Sequence, residues 1–385
     1  MAEVGVAMWH VVHIGKYYWP YQRGIETHLR LLCERLVEAV ELDVIVAQEG
    51  WRTVREEING VRVMRLGRLV EISGTSICAS LPFILRRMRP EIVHVHLPNP
   101  WAEWSYFLAG APGRLVVSFH SDIIRQKVLL RLHAPLHRRF LRRAERVIVA
   151  TPRHVEHSPF LSELPAERCT VIPYGIEVRE FELTRARAER AEAMRREYGV
   201  PMILFVGQLV YYKGVEVLLR AMREVEGGAV IIGRGPLEGK LRRMARELGV
   251  SDRVHFLGYV DEEELRAAYH ACDVFCLPST YRSEAFGVVQ LEAFACGKPV
   301  VSTDLASGVP WVNRDGETGI VVPPGDSGAL GRALRRLIED EGLREELGRR
   351  ARARVLAEFQ ADEMARRTLA VYEEIMRGNG MRGGE

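Results

Sequence analysis

Short apolar runs alternate with amphipathic segments along almost the whole chain, and this alternation constrains the fold more than any other feature. Runs such as LDVIVAQ at 42–48 and MILFVGQL at 202–209 are rich in Val, Ile and Leu and too short for helices. The segments between them, such as 25–39, place apolar residues at helical spacing. Strands that are apolar on both faces and joined by helices are typical of parallel sheets covered on both sides. We therefore predict an α/β protein with doubly wound parallel sheets.

The alternation occurs in two series, which indicates two domains. The chain has 385 residues, and domains usually hold about 100–200 residues. The first series closes with RCTVIPYGIEVREF at 168–181, and an Arg/Ala/Glu-rich helix separates it from the second. We predict domains over 1–175 and 176–360, followed by a last helical segment over 361–385. Ligands of such sheets bind at the carboxyl ends of the strands, so strand-to-helix loops should carry the site.

Two glutamates stand out in the apolar stretch SEAFGVVQLEAFACGKPVVST at 283–303. Buried carboxylates need hydrogen bonds or partner charges, so Glu284 and Glu292 require an explanation. We expect a helix that starts near Glu284, and eight helical residues rise about 12 Å. That length is close to the distance from a sugar across a diphosphate to a ribose. Glu284 would then bind hexose hydroxyls and Glu292 ribose hydroxyls. The alternative is that the first caps a helix and the second is a surface residue.

Backbone groups at the start of the same helix suit a phosphate. We expect the amides of Phe286, Gly287 and Val288 to face outward from the helix N-terminus, where the helix dipole favours anions. Gly287 has no side chain to block an approaching phosphate.

The loop FVGQLVYYKG at 205–214 ends a strand and precedes a helix. Lys213 in this loop could neutralise a diphosphate leaving group as a point charge, or it could be an ordinary solvated lysine. The next such loop, VIIGRGPLEG at 230–239, has a glycine pattern near the dinucleotide-binding form, with Gly233 first. The third glycine is displaced by one residue, so a tight turn near a base or ribose is favoured over NAD binding.

Histidines do not form an evident metal site in the sequence. His120 ends the strand in VVSFHSD and is either a core histidine or part of a site. His94 and His96 share one face of a strand, but no carboxylate follows at ligand spacing. The sequence also lacks a D-x-D pair to hold a divalent ion against a diphosphate. We therefore predict no metal and no cofactor.

Charge and composition exclude several classes of protein. A net charge of +3 argues against a dedicated nucleic-acid binder. Six scattered cysteines without a C-x2-C pair, and an N-terminus without signal-peptide features, are typical of a reducing cytoplasm. No apolar run approaches the roughly 20 residues that span a bilayer. The basic run Arg131–Arg146 is either a solvated face or a surface for peripheral membranes and anionic acceptors.

Several of these motifs together resemble the retaining glycosyltransferase family 4. The resemblance lies in EAFGVVQLEAFACGKPVVSTD, GETGIVVPPGD and FVGQLVYYKG in the second half, and in GIETHLRLLCERL, FHSD and VIPYGIE in the first. It covers essentially the whole chain, and is nearest to bacterial or archaeal mannosyl- and hexosyltransferases of surface-polysaccharide pathways. It implies a GT-B architecture, with two Rossmann-like domains facing a cleft. It also implies that the final helix, about 360–377, crosses back to the first domain.

Carried over position by position, the resemblance implies roles for individual residues. Glu284 resembles the hexose-binding glutamate and Glu292 the ribose-binding one. Lys213 resembles the diphosphate-binding lysine. His120 resembles the active-site histidine near the donor sugar, and Gly24 resembles the first-loop glycine that approaches the diphosphate.

The chain departs from the family pattern at two positions. Gln208 stands where the family usually has an arginine, so one phosphate cation is missing, and Arg23 replaces the first glycine of a common pair. Tyr259 and Val260 fall in the loop that flanks the base. We predict that the catalytic residues are His120, Lys213 and Glu284, and that the donor-binding residues are Gly24, Gln208, Gly233, Tyr259, Val260, Phe286, Gly287, Val288 and Glu292.

The residues and the resemblance lead to one functional prediction. The chain transfers a hexose of the mannose or glucose type from a GDP- or UDP-sugar, with retention and without a metal, to a glycan, lipid-linked or small-molecule acceptor. No Asp or Glu is evident as a covalent nucleophile. The enzymatic alternative is an epimerase or hydrolase of nucleotide sugars on the same scaffold. The non-enzymatic alternative is a sugar-nucleotide-binding protein, which the set Glu284, Lys213 and His120 disfavours.

Overall fold

A computed structural model of the chain describes residues 8–21, 24–122 and 127–378. Arg23, which replaces the first glycine of a pair common in the family, lies outside these residues. The chain forms two compact units. Unit 1 holds the residues up to Gly175 together with those from Ala361 onward, and unit 2 holds Ile176–Gln360.

Sixteen strands lie in the described part of the chain. In order they are β1 (His10–Ile14), β2 (Glu41–Gln48), β3 (Val54–Ile58), β4 (Val61–Gly67), β5 (Val70–Ile72), β6 (Thr75–Ile77), β7 (Ile92–Leu97), β8 (Arg114–Phe119), β9 (Arg146–Val149), β10 (Cys169–Val171), β11 (Met202–Val206), β12 (Gly228–Ile232), β13 (Val254–Gly258), β14 (Val274–Leu277), β15 (Val300–Thr303) and β16 (Gly319–Val322).

Fourteen α-helices lie in the same residues. They are α1 (Gly24–Leu36), α2 (Leu81–Met88), α3 (Pro100–Leu108), α4 (Lys127–Arg143), α5 (Pro152–His157), α6 (Arg185–Tyr198), α7 (Val215–Ala221), α8 (Glu238–Glu247), α9 (Glu262–Ala271), α10 (Val289–Ala295), α11 (Val309–Val312), α12 (Ser327–Glu339), α13 (Glu341–Glu358) and α14 (Ala361–Arg377). Short 3₁₀ helices cover Ala166–Arg168, Val178–Phe181 and Tyr211–Lys213.

Unit 1 is built on an eight-stranded sheet in the order β10-β9-β8-β7-β1-β2-β4-β3. Its pairings are parallel except that the edge strand β3 runs antiparallel to β4. The buried strand β7 has apolar residues on both faces but also carries two histidines. Helix α14 packs against α1, and its apolar face joins the core formed by α1 and β2.

Unit 2 is built on a six-stranded, wholly parallel sheet in the order β13-β12-β11-β14-β15-β16. Every residue of β11, β12, β14 and β15 is buried, which explains why these strands are continuous apolar runs in the sequence. The prediction of an α/β protein with doubly wound parallel sheets is confirmed.

One local prediction was wrong. The helix carrying Glu292 was expected to begin near Glu284, but it begins at Val289. Gly287 has a φ of +75°, a left-handed conformation that is incompatible with a continuous helix. The 12 Å helical span between the two glutamates therefore does not apply.

Candidate functional site

The loops that follow β11 and β14 are held against each other at one edge of the unit 2 sheet. The two strands are parallel neighbours, with Ile203 opposite Val274, so both loops leave at the carboxyl edge. At Gly214, φ is +68° and a Cβ would lie 1.9 Å from the carbonyl oxygen of Pro278, so no side chain fits between the loops. The Thr280 amide also donates to the Tyr212 carbonyl at 2.8 Å.

This packing brings Lys213 and Glu284 together. Lys213 Nζ lies 2.6 Å from Glu284 Oε2, and the two side chains are only 12% and 9% exposed. Ser279 Oγ donates to the same carboxylate oxygen at 3.1 Å. The arrangement therefore offers a cation and an oriented carboxylate side by side at the edge where ligands of parallel sheets bind.

Glu292 lies on α10, partly buried, and accepts a hydrogen bond from the Tyr269 hydroxyl of α9. Burial raises the pKa of this carboxyl, and the Tyr269 hydrogen bond and the positive charges of Arg266 and Lys213 oppose that rise. A surface location for Glu292 is therefore wrong. The carboxylate is placed to accept further hydrogen bonds, and its charged form is costly in the unliganded protein.

Residues 286–288, immediately before α10, also contribute to the packing of unit 2. A Cβ at Gly287 would lie 2.7 Å from both the Gln290 amide nitrogen and a methyl carbon of Leu277, so the turn itself requires glycine. The Phe286 side chain is 2% exposed and packs edge-on against Phe359, so this side chain is not available to a ligand. Val288 is partly buried, immediately before the helix.

Four other predicted donor-binding residues follow strands of the same sheet. Gln208 is exposed after β11, and Gly233 follows β12. A Cβ at Gly233 would lie 2.0 Å from the carbonyl oxygen of Gly207, so this glycine permits the two loops to pack. After β13, Tyr259 is 69% exposed and Val260 is partly buried. These four residues therefore lie at the carboxyl edge of the sheet, as do the loops that carry Lys213 and Glu284.

The remaining two predicted residues belong to unit 1. Gly24 is exposed and is the first residue of α1, and a Cβ there would meet no described atom within 4 Å. His120 directly follows β8 and is 2% exposed. Its Nε2 lies 3.0 Å from His96 Nδ1, and its Nδ1 is hydrogen-bonded to the Tyr174 hydroxyl.

His120 is one member of a buried histidine cluster that the sequence analysis missed. His13 Nδ1 lies 3.0 Å from His96 Nε2, and its Nε2 lies 3.0 Å from the Tyr372 hydroxyl, which also bonds His94. The histidines come from the ends of β1, β7 and β8, which are neighbours in the sheet. The available signal was a histidine in or directly after each of three apolar strands.

Burial controls the protonation of this cluster. It lowers the pKa of His13 and of His28 to about 3, with the His28 charge adding to the effect on His13. The pKa values of His94, His96 and His120 also fall well below the usual range because of burial. The cluster is therefore neutral at physiological pH. Both ring nitrogens of His28 are buried without a hydrogen-bond partner among the described residues.

A second group of ionisable side chains lies between α3 and α4. Glu103 Oε2 accepts from His133 Nε2 at 3.0 Å and from His137 Nδ1 at 2.9 Å. Burial alone would raise the pKa of Glu103, but the hydrogen bonds from these two histidines hold it below its ordinary value. Sequence spacing gave no sign of this group because Glu103 lies on a different helix from the histidines.

The basic run Arg131–Arg146 is partly engaged in internal contacts. Arg138 and Arg142 both pair with Glu163, at 2.9 and 3.4 Å, and Arg146 pairs with Glu374. Arg131 and Leu132 are exposed on α4, the leucine by 78%. Among the described residues, none of the helices has the length and apolar character needed to cross a membrane.

Comparison with known families gives two matches that together cover most of the chain. Residues 22–180 match the model described as Glycosyltransferase Family 4, and residues 188–354 match the one described as Glycosyl transferases group 1.

Individual relatives agree with these matches. The chain is 38% identical over 305 residues to the D-rhamnosyltransferase WbpZ of Pseudomonas aeruginosa, covering 78% of this chain and 79% of that protein. It is 31% identical over 376 residues to the O-antigen chain mannosyltransferase C of Escherichia coli, covering 95% and 98%. The structure superposes on sucrose-phosphate synthase from Thermosynechococcus elongatus with a TM-score of 0.79 at 24% identity, over 96% and 100% of the chains. That likeness confirms the GT-B fold class.

Proposed function

The chain belongs to glycosyltransferase family 4, and from this premise we propose that it transfers a mannose- or glucose-type hexose from a GDP- or UDP-sugar. The transfer retains the anomeric configuration and needs no metal ion. The acceptor is a glycan, a lipid-linked sugar or a small molecule.

The observation that carries this proposal is the Lys213–Glu284 pair at the carboxyl edge of the unit 2 sheet. A nucleotide diphosphate sugar presents two kinds of group close together, an anionic diphosphate and the neutral hydroxyls of the sugar. The pair presents the complementary groups, a cation for the diphosphate and a carboxylate that accepts from hydroxyls. On donor binding, Lys213 exchanges part of its attraction to Glu284 for the diphosphate, and Glu284 gains hydroxyl donors.

The same lysine supports the chemical step. As the bond from the anomeric carbon to the diphosphate oxygen breaks, negative charge grows on the leaving oxygen. A pre-positioned cation stabilises that charge without reorganisation at the moment of reaction. The acceptor oxygen attacks from the face of the leaving diphosphate and loses its proton to it, which gives retention. Glu284 orients the hexose in this scheme and does not act as a nucleophile.

The other predicted residues serve donor binding. Glu292, oriented by Tyr269, accepts from the ribose hydroxyls. Tyr259 and Val260 flank the base, and Gln208 contributes an uncharged side chain to the diphosphate. The ring of His120 is fixed by His96 and Tyr174, and its role near the donor sugar stays a prediction carried over from the family.

The names of the relatives favour a donor sugar of the manno configuration. D-Rhamnose is D-mannose without the hydroxyl at C6, so the sugars named for the two relatives share the configuration of the other ring hydroxyls. We therefore place GDP-mannose and GDP-D-rhamnose first among the donors to test.

A thermal-shift screen with UDP-, GDP- and ADP-sugars tests the donor. A ligand at 100 times its dissociation constant stabilises by about 2.7 kcal/mol, which moves the midpoint measurably. The donor that gives the largest shift is then incubated with manno-oligosaccharide and lipid-linked acceptors, and the anomeric configuration of the product is read by NMR. An inverted product contradicts the proposal, and so does a donor that is epimerised or hydrolysed as fast with acceptor as without.

A further inference from the structure

The group formed by Glu103, His133 and His137 is the feature of unit 1 that the proposed function does not use. His133 and His137 are four residues apart on α4, so they share one helix face. Glu103 projects toward them from the first turn of α3. One carboxylate oxygen and one nitrogen of each ring all lie within 4.8 Å of one another.

The distances within the group are close to those of a metal site. Zinc binds imidazole nitrogen at about 2.0–2.1 Å and carboxylate oxygen at about 2.0–2.2 Å, so ligand atoms of a tetrahedral site lie about 3.3 Å apart. Glu103 Oε2 is 3.0 Å from His133 Nε2 and 2.9 Å from His137 Nδ1. These two oxygen-to-nitrogen distances are therefore about 0.3–0.4 Å shorter than those of a zinc site, and the two ring nitrogens lie within 4.8 Å of each other.

A second observation concerns the other carboxylate oxygen. Glu103 is fully buried, and its Oε1 has no hydrogen-bond partner among the described residues. A buried carboxylate with one unsatisfied oxygen is costly, because that oxygen has lost its hydrogen bonds to water without gaining a partner in the protein. A divalent cation bound by Oε2 and the two imidazoles would compensate the buried charge and would also offer Oε1 a partner.

We propose that Glu103, His133 and His137 form a structural zinc site that joins α3 to α4. Two imidazoles and one carboxylate are an established zinc ligand set, and a water molecule would complete the tetrahedron. The His133 side chain is 10% exposed, which leaves a route for the ion and its water from solvent. The ion fixes the middle of the basic helix α4 against α3 and takes no part in donor binding.

Equilibrium titration of the metal-free full-length chain with Zn²⁺, in competition with a chromophoric chelator, tests the site. We expect one Zn²⁺ per chain, with a dissociation constant on the order of 1 μM or lower. His133→Gln and His137→Gln should each weaken binding by at least about 100-fold, because each removes one of three protein ligands. Co²⁺ in place of Zn²⁺ should give the visible spectrum of a four-coordinate nitrogen and oxygen site, which both variants lose.

Two buried histidine trios are competing sites, because the nitrogens of each also lie within 4.8 Å of one another: His28, His96 and His120, and His13, His94 and His96. His28→Gln is therefore the matched control, and it should leave the affinity unchanged. Failure of the wild-type chain to bind Zn²⁺ at 100 μM overturns the proposal without any variant, so the result does not depend on whether the variants fold. Retention of binding in His133→Gln/His137→Gln, or its loss in His28→Gln, also overturns it.

Discussion

Lys213 and Glu284 form an ion pair of 2.6 Å at the carboxyl edge of the unit 2 sheet, with Ser279 bonded to the same carboxylate oxygen. Each of the two residues is thus the other's partner before any donor arrives. Replacing Lys213 leaves the Glu284 carboxylate without its cation, and replacing Glu284 leaves Lys213 without its anion. Each substitution therefore alters the charge environment of the remaining partner as well as removing one contact with the substrate. The predictions for this site take that coupling into account.

Lys213→Ala should lower turnover by at least about 100-fold, the scale of losing one strong electrostatic group at a developing charge. Lys213→Arg should recover only part of the rate, because a planar guanidinium does not replace a point charge, and Gln208→Arg should be tolerated. The measurement is steady-state transfer. Lys240→Ala is the matched control, since Lys240 also pairs with a glutamate at 2.6 Å but is exposed. Near-normal turnover in Lys213→Ala would show that the leaving-group charge is stabilised elsewhere.

Glu292→Ala should weaken binding of the free nucleoside diphosphate by roughly 10- to 100-fold, because hydrogen bonds to a charged acceptor contribute about 1.5–3 kcal/mol. Because burial raises the Glu292 pKa, the carboxylate takes up a proton at a higher pH than an ordinary glutamate. Wild-type affinity should therefore fall as the pH is lowered toward that raised value, and Glu292→Gln should lack this dependence. Calorimetric titration over a pH series measures both effects, and unchanged affinity in Glu292→Ala would remove the ribose assignment.

Removal of metal ions by a chelator should leave glycosyl transfer intact. Lys213 neutralises charge on the diphosphate, and the sequence has no D-x-D pair to hold a metal ion there. Transfer rates with and without EDTA provide the measurement. If the zinc site at Glu103 exists, EDTA should lower the thermal midpoint of the chain without lowering the rate at 25 °C. Loss of transfer in EDTA that manganese or magnesium restores would contradict metal independence.

The chain should bind anionic vesicles through α4, where Arg131 and Leu132 are exposed beside further arginines. Binding should weaken as salt rises, because the Debye length falls from about 10 Å at 0.1 M to about 3 Å at 1 M. Co-sedimentation with phosphatidylglycerol vesicles measures it, and Arg131→Glu/Leu132→Glu should reduce the bound fraction. Arg185→Glu, an exposed arginine of unit 2, is the control. Equal sedimentation with neutral and anionic vesicles, or with neither, would contradict the prediction.

Unit 1 should lose stability in acid because of its buried histidines. The pKa values of His13 and His28 are about 3 in the folded chain and near 6.5 when unfolded, so the unfolded state binds more protons between these values. Stability is complete above about pH 6.5 and falls below it, by about 1.4 kcal/mol per pH unit for each such group. Thermal midpoints between pH 8 and pH 4 measure the loss. His28→Leu should flatten the slope, and an unchanged slope would mean that His28 is not buried neutral.

The sequence by itself determined the buried parallel strands of the two large sheets and the loops that carry the candidate site. Buried parallel strands such as Met202–Val206 have apolar residues at every position, so they can be recognised without knowing their neighbours. Lys213, Gly233 and Glu284 could be placed in strand-to-helix loops because each lies in the segment that follows such a run. Family motifs then supplied roles for them.

Only the tertiary structure decided which of these residues meet. Strands pair in the order of the sheet and not of the sequence, so β11 lies beside β14, and Lys213 reaches Glu284. For the same reason, the sequence did not predict that the histidines in or after β1, β7 and β8 form one cluster, or that Glu103 contacts α4. The start of α10 depended on the positive φ of Gly287, where the Leu277 and Gln290 side chains also leave no room for a Cβ. Such contacts join residues that are distant in sequence, so no local sequence pattern predicts them.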